Sequence, residues 1–301
     1  MTDAAELNTR FGIAGQLRFT ADSNGFVVLE IDNDRAGAAI ALQGAHLLRW
    51  APHNQQPVIW LSEAARLASG KAIRGGIPVC WPWFGPHPGE AAFPAHGFAR
   101  TALWEVRETQ AVSGDVTEVV LRLVQDETTS RLWPYPSELE CRFRVSDTLQ
   151  VELVSRNTGE TPITIGAALH TYFAVSDIRQ ISLQGLDGCG YLDKVDGGRR
   201  KQQAGPVTFH GETDRIYLNT AAEVCIDDPG LQRRIRIGKG GSRSTVVWNP
   251  WIEKADKMGD LGEEGYLSMV CVETANAADD VVTIAPGGEH RLWAQYGVEA
   301  M

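Results

Sequence analysis

The chain is 301 residues long, 43% hydrophobic and 22% charged, a composition that supports a sizeable core and excludes a disordered or fibrous protein. A formal net charge of −10 excludes nucleic acid as a general partner, since a polyanion needs a basic face, and no apolar run approaches the ~20 residues that span a bilayer. The five cysteines (Cys80, Cys141, Cys189, Cys225 and Cys271) are scattered without a CxxC pair, which indicates neither a zinc site nor a disulfide framework and fits a reducing compartment.

The first residues, MTDAAELNTRFGIAGQ, lack the basic start and apolar run of a secretory signal, so a cytoplasmic location is expected. Residues 1–20 are expected to be peripheral. From there, period-two alternation dominates. Strands are predicted at Phe26–Ile31, Glu118–Gln125, Ile163–Phe173, Ile178–Leu183, Arg215–Leu218, Glu223–Ile226, Arg233–Ile237, Thr245–Trp248, Leu267–Glu273, Val281–Ile284 and His290–Gly297. The clearest case is Glu138–Val145, where Leu139, Cys141, Phe143 and Val145 face one way and charged residues the other. Leu149, Val151 and Leu153 resume the pattern after a turn at Ser146-Asp147, which predicts a hairpin. Helical signal is confined to Ser62–Leu67, with Ser62 as a possible N-cap, and Pro250–Met258. Asp193–Gly205 reads as a polar loop. With no repeat or linker, residues 1–301 are expected to form one all-β domain, a large antiparallel sandwich with few short helices.

The stretch Arg74–Arg100, RGGIPVCWPWFGPHPGEAAFPAHGFAR, is too rich in Gly and Pro to continue a helix or central strand. It nonetheless carries Trp81, Trp83, Phe84, Phe93 and Phe98. Aromatic faces beside fixed cations suit a ligand with an apolar face and a negative charge, such as a sugar phosphate. A rigid loop packed on itself would have the same composition. In an acidic chain, an anion site must be a local basic spot built from residues such as Arg74 and Arg100.

Other residues carry titratable chemistry. His170 ends ITIGAALH and shares a strand face with Ala168 and Tyr172. Such a histidine is more often a satisfied core residue, but it is also the natural proton carrier near neutrality. Glu273 follows the apolar run MVCV at the expected end of a strand. Burial there would raise its pKa toward a useful base, and a carboxylate emerging into solvent is the alternative. Asp214, opening DRIY, suits either a turn or a pair of hydroxyls. His96, before Gly97, suits either a sugar contact or a loop brace. No phosphate-binding glycine motif and no G-x-S-x-G is present.

Together RGGIPVCWPWFGPHP, PAHGFAR, HTYF, DRIY, WNPWIEKADKMGDLG and MVCVET, in this order, resemble the glucose-6-phosphate 1-epimerases. These hexose-6-phosphate mutarotases are a branch of the aldose 1-epimerase superfamily, and the resemblance spans about residues 20–298. It implies a galactose-mutarotase-type supersandwich that interconverts the anomers of a small-molecule hexose 6-phosphate with no metal or organic cofactor; separately, a monomer is expected. By motif, it implies His170 as catalytic acid, Glu273 as catalytic base, Arg74 and Arg100 as substrate contacts suited to the phosphate, and His96 and Asp214 as sugar contacts. Ala95 stands where some members have Gln. An aldose 1-epimerase acting on neutral sugars and a non-catalytic carbohydrate-binding sandwich are the alternative readings.

Overall fold

A computed structural model describes residues 3–301 of the chain. The alternation at Ser137–Val145 and Leu149–Asn157 produces the expected hairpin, with Val145 opposite Leu149 and the four predicted residues buried. The hairpin lies within an antiparallel sheet of eight strands. In spatial order these are Ser182–Gln184, Val224–Asp228, Arg233–Gly240, Glu289–Ala300, Leu149–Asn157, Ser137–Val145, Val116–Leu123 and Trp104–Ser113.

A second eight-stranded sheet carries the chemistry. It runs Arg199–Gln202, Gly190–Asp193, Thr213–Tyr217, Ser244–Asn249, Met269–Asn276, Ala167–Leu169 and Val79–Cys80, with Tyr172–Ala174 also paired to Met269–Asn276. Apolar side chains from both sheets share one core cluster. Buried hydrogen bonds tie them together, Trp81 Nε1 to Ser155 Oγ at 3.1 Å and Thr171 Oγ1 to the Tyr296 hydroxyl at 2.7 Å. The fold is a mostly antiparallel β-sandwich, as expected.

Ser244–Asn249 and Met269–Asn276 are buried along their whole length. Their side chains separate by face: Val247, Val270 and Val272 join the inter-sheet core, while Val246, Trp248 and Cys271 face outward. That outward face is the floor of the site. Such two-sided burial explains why this segment reads as a continuous apolar run.

Several expectations fail locally. Ser62–Leu67 is a turn rather than a helix; Ser62 Oγ instead accepts from the Ala64 N–H and donates to the Asp260 carbonyl. Ile163–Phe173 breaks into three short strands, because Gly166, His170 and Tyr172 donate their N–H groups to the Pro82, Pro78 and Gly76 carbonyls, respectively, of the Arg74–Arg100 loop. Of Ile178–Leu183 only the end is strand, at Ser182–Gln184. The polar Asp193–Gly205 segment contains an edge strand, Arg199–Gln202. Residues 3–20 are not peripheral: Leu7, Leu17 and Phe19 join the core, from a helix at Ala4–Phe11 and a strand at Leu17–Ala21. Met1 and Thr2 lie outside the described residues. The second predicted helix forms at Trp251–Met258 and ends on left-handed Gly259.

Most of the loop's aromatic residues pack inward. Trp81, Trp83 and Phe98 are buried in the core, and Phe84 is the one that lines the site. Two glycines make this docking possible. Gly75 has φ +102°, and a Cβ there would lie 2.7 Å from the Trp60 carbonyl oxygen. Gly97 has φ +71°, and a Cβ there would overlap the Trp81 carbonyl. Gly97→Ala is therefore expected to destabilise the fold by at least about 2 kcal/mol, from backbone strain plus overlap. Thermal unfolding would register this as a clear fall in Tm, and an unchanged Tm would contradict the close approach.

Candidate active site

One pocket of about 560 Å³ contains every residue singled out from the sequence: Arg74, His96, Arg100, His170, Asp214 and Glu273. A larger cavity of about 640 Å³ elsewhere offers Arg18, Glu30 and Arg49, but these groups pair with one another at its exposed rim. Concavity combined with buried, unpaired acid–base groups favours the smaller pocket.

His170 and Glu273 meet on the floor, with Nε2 3.4 Å from Oε1. Glu273 is not at a strand end. It sits within Met269–Asn276, opposite Val246, and is 1% exposed. Burial, with Asp214 adding repulsion, pushes its carboxyl well above the ordinary range. Burial also pushes His170 well below its ordinary value, assisted by His96 and Arg100. Among the described residues, Glu273 Oε2 and His170 Nδ1 are buried without a hydrogen-bond partner. Each such group costs about 1–3 kcal/mol, a cost that structural packing alone gives no reason to retain.

The walls combine apolar side chains with charged groups of both signs. Arg74 donates from Nε to Asp260 Oδ1 at 3.0 Å and from Nη1 to the Tyr172 hydroxyl at 2.9 Å. Those two contacts hold its guanidinium strongly protonated despite desolvation. Arg100 donates from Nη2 to the Ala95 carbonyl at 2.9 Å. Residue 95 thus serves through its backbone, so alanine there leaves this contact intact. His96, with φ +67°, is pushed down to about 4 by burial and then by Arg100 and Arg74. On the opposite strand Asp214 is raised by burial while Lys254, 4.0 Å away, draws it down. Lys194 also lines the pocket, giving four Lys/Arg side chains against two carboxyls. This is the local basic spot that an acidic chain needs in order to hold an anion.

Of the basic residues Lys239, Arg243 and Lys254, which the sequence did not single out, Lys254 reaches the pocket. Lys239 is occupied by Ser244 O and Thr245 Oγ1, at 2.7 and 2.8 Å. Asp260 and Trp248 had no sequence signal beyond lying in WNPWIEKADKMGDLG. His46 braces the Arg74 loop, its buried Nε2–H donating to the Gly75 carbonyl at 2.8 Å. His170, Cys271 and Glu273 place potential metal-ligand atoms within 4.8 Å of one another, a set that sequence spacing did not suggest. Burial holds both the thiol and the carboxyl well above their ordinary values. This set therefore favours protonated groups over the anionic ligands a soft cation would select.

Comparison with known proteins gives the same direction. The aldose 1-epimerase profile matches residues 27–297. The chain belongs to the aldose 1-epimerase family. Over 253 residues it is 40% identical to an Escherichia coli (strain K12) protein provisionally named glucose-6-phosphate 1-epimerase, covering 84% of each chain. A Cenchrus ciliaris protein of the same provisional name is 34% identical, over 84% of this chain and 79% of its own. The crystal structure of a provisionally named mutarotase from Salmonella typhimurium superposes with a TM-score of 0.90 at 33% identity, covering 97% of this chain and 96% of that one. This aldose 1-epimerase is thus an enzyme of the mutarotase group.

Proposed function

We propose that the chain interconverts the α and β anomers of a hexose 6-phosphate, with glucose 6-phosphate as the simplest substrate given the names of its relatives. The carrying observation is the His170–Glu273 contact at 3.4 Å, in the same pocket as Arg74 and Arg100. The arginine forks suit phosphate oxygens, and His96 and Asp214 suit ring hydroxyls.

Burial favours a neutral carboxylic acid beside a neutral imidazole. Moving their one shared proton to Nε2 gives a carboxylate and an imidazolium, so the two groups titrate as a pair. For ring opening, the Glu273 carboxylate takes the proton from the C1 hydroxyl. The released electron pair forms the C1=O bond, the C1–O5 bond breaks, and His170 protonates O5. The pair is then left as carboxylic acid and neutral imidazole, the form that burial already favours. Rotation about C1–C2 and reversal of the steps deliver the other anomer. A cytoplasmic monomer accompanies this reading, because a single chain supplies every group used and its cysteines are free.

Exchange NMR on glucose 6-phosphate and glucose tests the proposal. Acceleration of the phosphorylated sugar by at least about 10²-fold is expected from positioned acid–base groups. Equal acceleration of both sugars would favour a neutral-aldose epimerase. Saturable binding at the uncatalysed rate would favour a non-catalytic sugar-binding sandwich.

A further inference from the structure

The imidazole of His170 has few anchors. Its Nδ1 has no hydrogen-bond partner among the described residues, and its contact to Glu273 is long at 3.4 Å. Ring packing must therefore set its plane, and the closest parallel ring is Tyr172, stacked at 5.0 Å and 17°. Trp248 approaches both rings edge-on, at 6.1 and 6.0 Å. Tyr172 in turn is held from two sides. Its ring stacks with Trp60 at 5.9 Å, and its hydroxyl accepts from Arg74 Nη1 at 2.9 Å. Arg74 is itself steadied at Nε by Asp260, whose carbonyl receives Ser62 Oγ at 2.7 Å. The contacts run without a gap from Asp260 through Arg74 and Tyr172 to His170.

We propose that Tyr172 is a positioning residue that couples an anion bound at Arg74 to the alignment of His170 against Glu273. This inference rests on the hexose-phosphate reading. Two of Arg74's five N–H donors are committed to Asp260 and Tyr172, so others remain for an oxyanion. An oxyanion there fixes the guanidinium, the guanidinium fixes the phenol, and the phenol fixes the imidazole plane. Binding free energy from a non-reacting part of the substrate is thereby used at the reacting centre. A neutral hexose leaves Arg74 unoccupied and gains nothing from the relay. The structure thus assigns the enzyme a further activity: turnover of a neutral hexose stimulated by a separate small oxyanion.

The test compares kcat and KM for glucose 6-phosphate and glucose in wild type and Tyr172→Phe, with and without inorganic phosphite. Tyr172→Phe is expected to lower kcat for the phosphorylated sugar about three- to tenfold, the range of one lost ring alignment. Its KM should change less than about twofold, and the preference over glucose should shrink with it. Phosphite should accelerate glucose anomerisation in wild type but not in Tyr172→Phe, and Asp260→Asn should weaken the stimulation. Equal losses on both sugars would mean general loosening and would overturn the relay. So would a rise in KM alone, which would make Tyr172 only a support for Arg74. Wild type active on glucose 6-phosphate but indifferent to phosphite would sink the relay and leave the parent reading standing. Wild type inactive on both sugars would end both.

Discussion

Glu273→Gln is expected to slow hexose 6-phosphate anomerisation by about 10²–10⁴-fold, the range for one positioned acid–base group, while raising Tm. Glutamine keeps the shape of the side chain but takes no proton from the C1 hydroxyl. The gain in stability follows from Glu273 being 1% exposed with one oxygen unpartnered. Its folded pKa lies well above the ordinary value of 4.5, so the native state holds this proton more tightly than the unfolded chain does. As pH rises from about 4.5 toward the folded pKa, the unfolded chain gains from ionising and wild-type stability falls. Glutamine has no such term, so its advantage should grow across that window. At about 2–4 °C per kcal/mol for a chain of this size class, the difference is measurable by calorimetry. A variant of full activity would remove Glu273 as the base, and an advantage that shrank with pH would contradict its burial-raised pKa.

Arg100→Ala is expected to weaken recognition of the phosphorylated sugar by about 30-fold or more in kcat/KM, the effect of losing a desolvated charged partner, with much less change for glucose. Arg100 is the cleaner probe of the two arginines. Among the described residues its side chain hydrogen-bonds to the Ala95 carbonyl alone, whereas removing Arg74 would also strand Asp260. The same substitution should raise the titration midpoints of His96 and His170, because Arg100 is among the causes that lower both. Histidine NMR titration reads that shift separately from turnover. An unchanged preference between the two sugars would place the phosphate elsewhere, with Lys194 and Lys254 on the far wall as the next basic groups.

Much of the fold was legible in the chain itself. Alternation fixes which face of a strand is buried, so Leu139, Cys141, Phe143 and Val145 were assigned correctly without coordinates. The Pro250–Met258 helix was recognised from its start and stop residues. The failures share a cause. Ala36–Ala41 and His46–Pro52 lack clean alternation because both faces are largely buried. The Glu127–Leu132 helix went unrecognised although Asp126 and Thr129 form a capping box. Ser62 showed cap chemistry, but its hydroxyl is bound to a turn and to Asp260 instead, a tertiary choice.

For the site, the sequence alone named six residues, and all six line one pocket. It could do so because residue type and motif order are local properties, and because resemblance to the hexose-phosphate epimerases tied the pieces together. Everything that depends on distance across the chain was settled by packing instead. Glu273 became a buried mid-strand carboxyl 3.4 Å from an imidazole 103 positions away. Most of the aromatic loop turned inward to the core, and Asp260 and Tyr172 came to steady Arg74. Desolvation and Coulomb coupling depend on what surrounds a group in space, and spatial neighbours are set by packing rather than by sequence order.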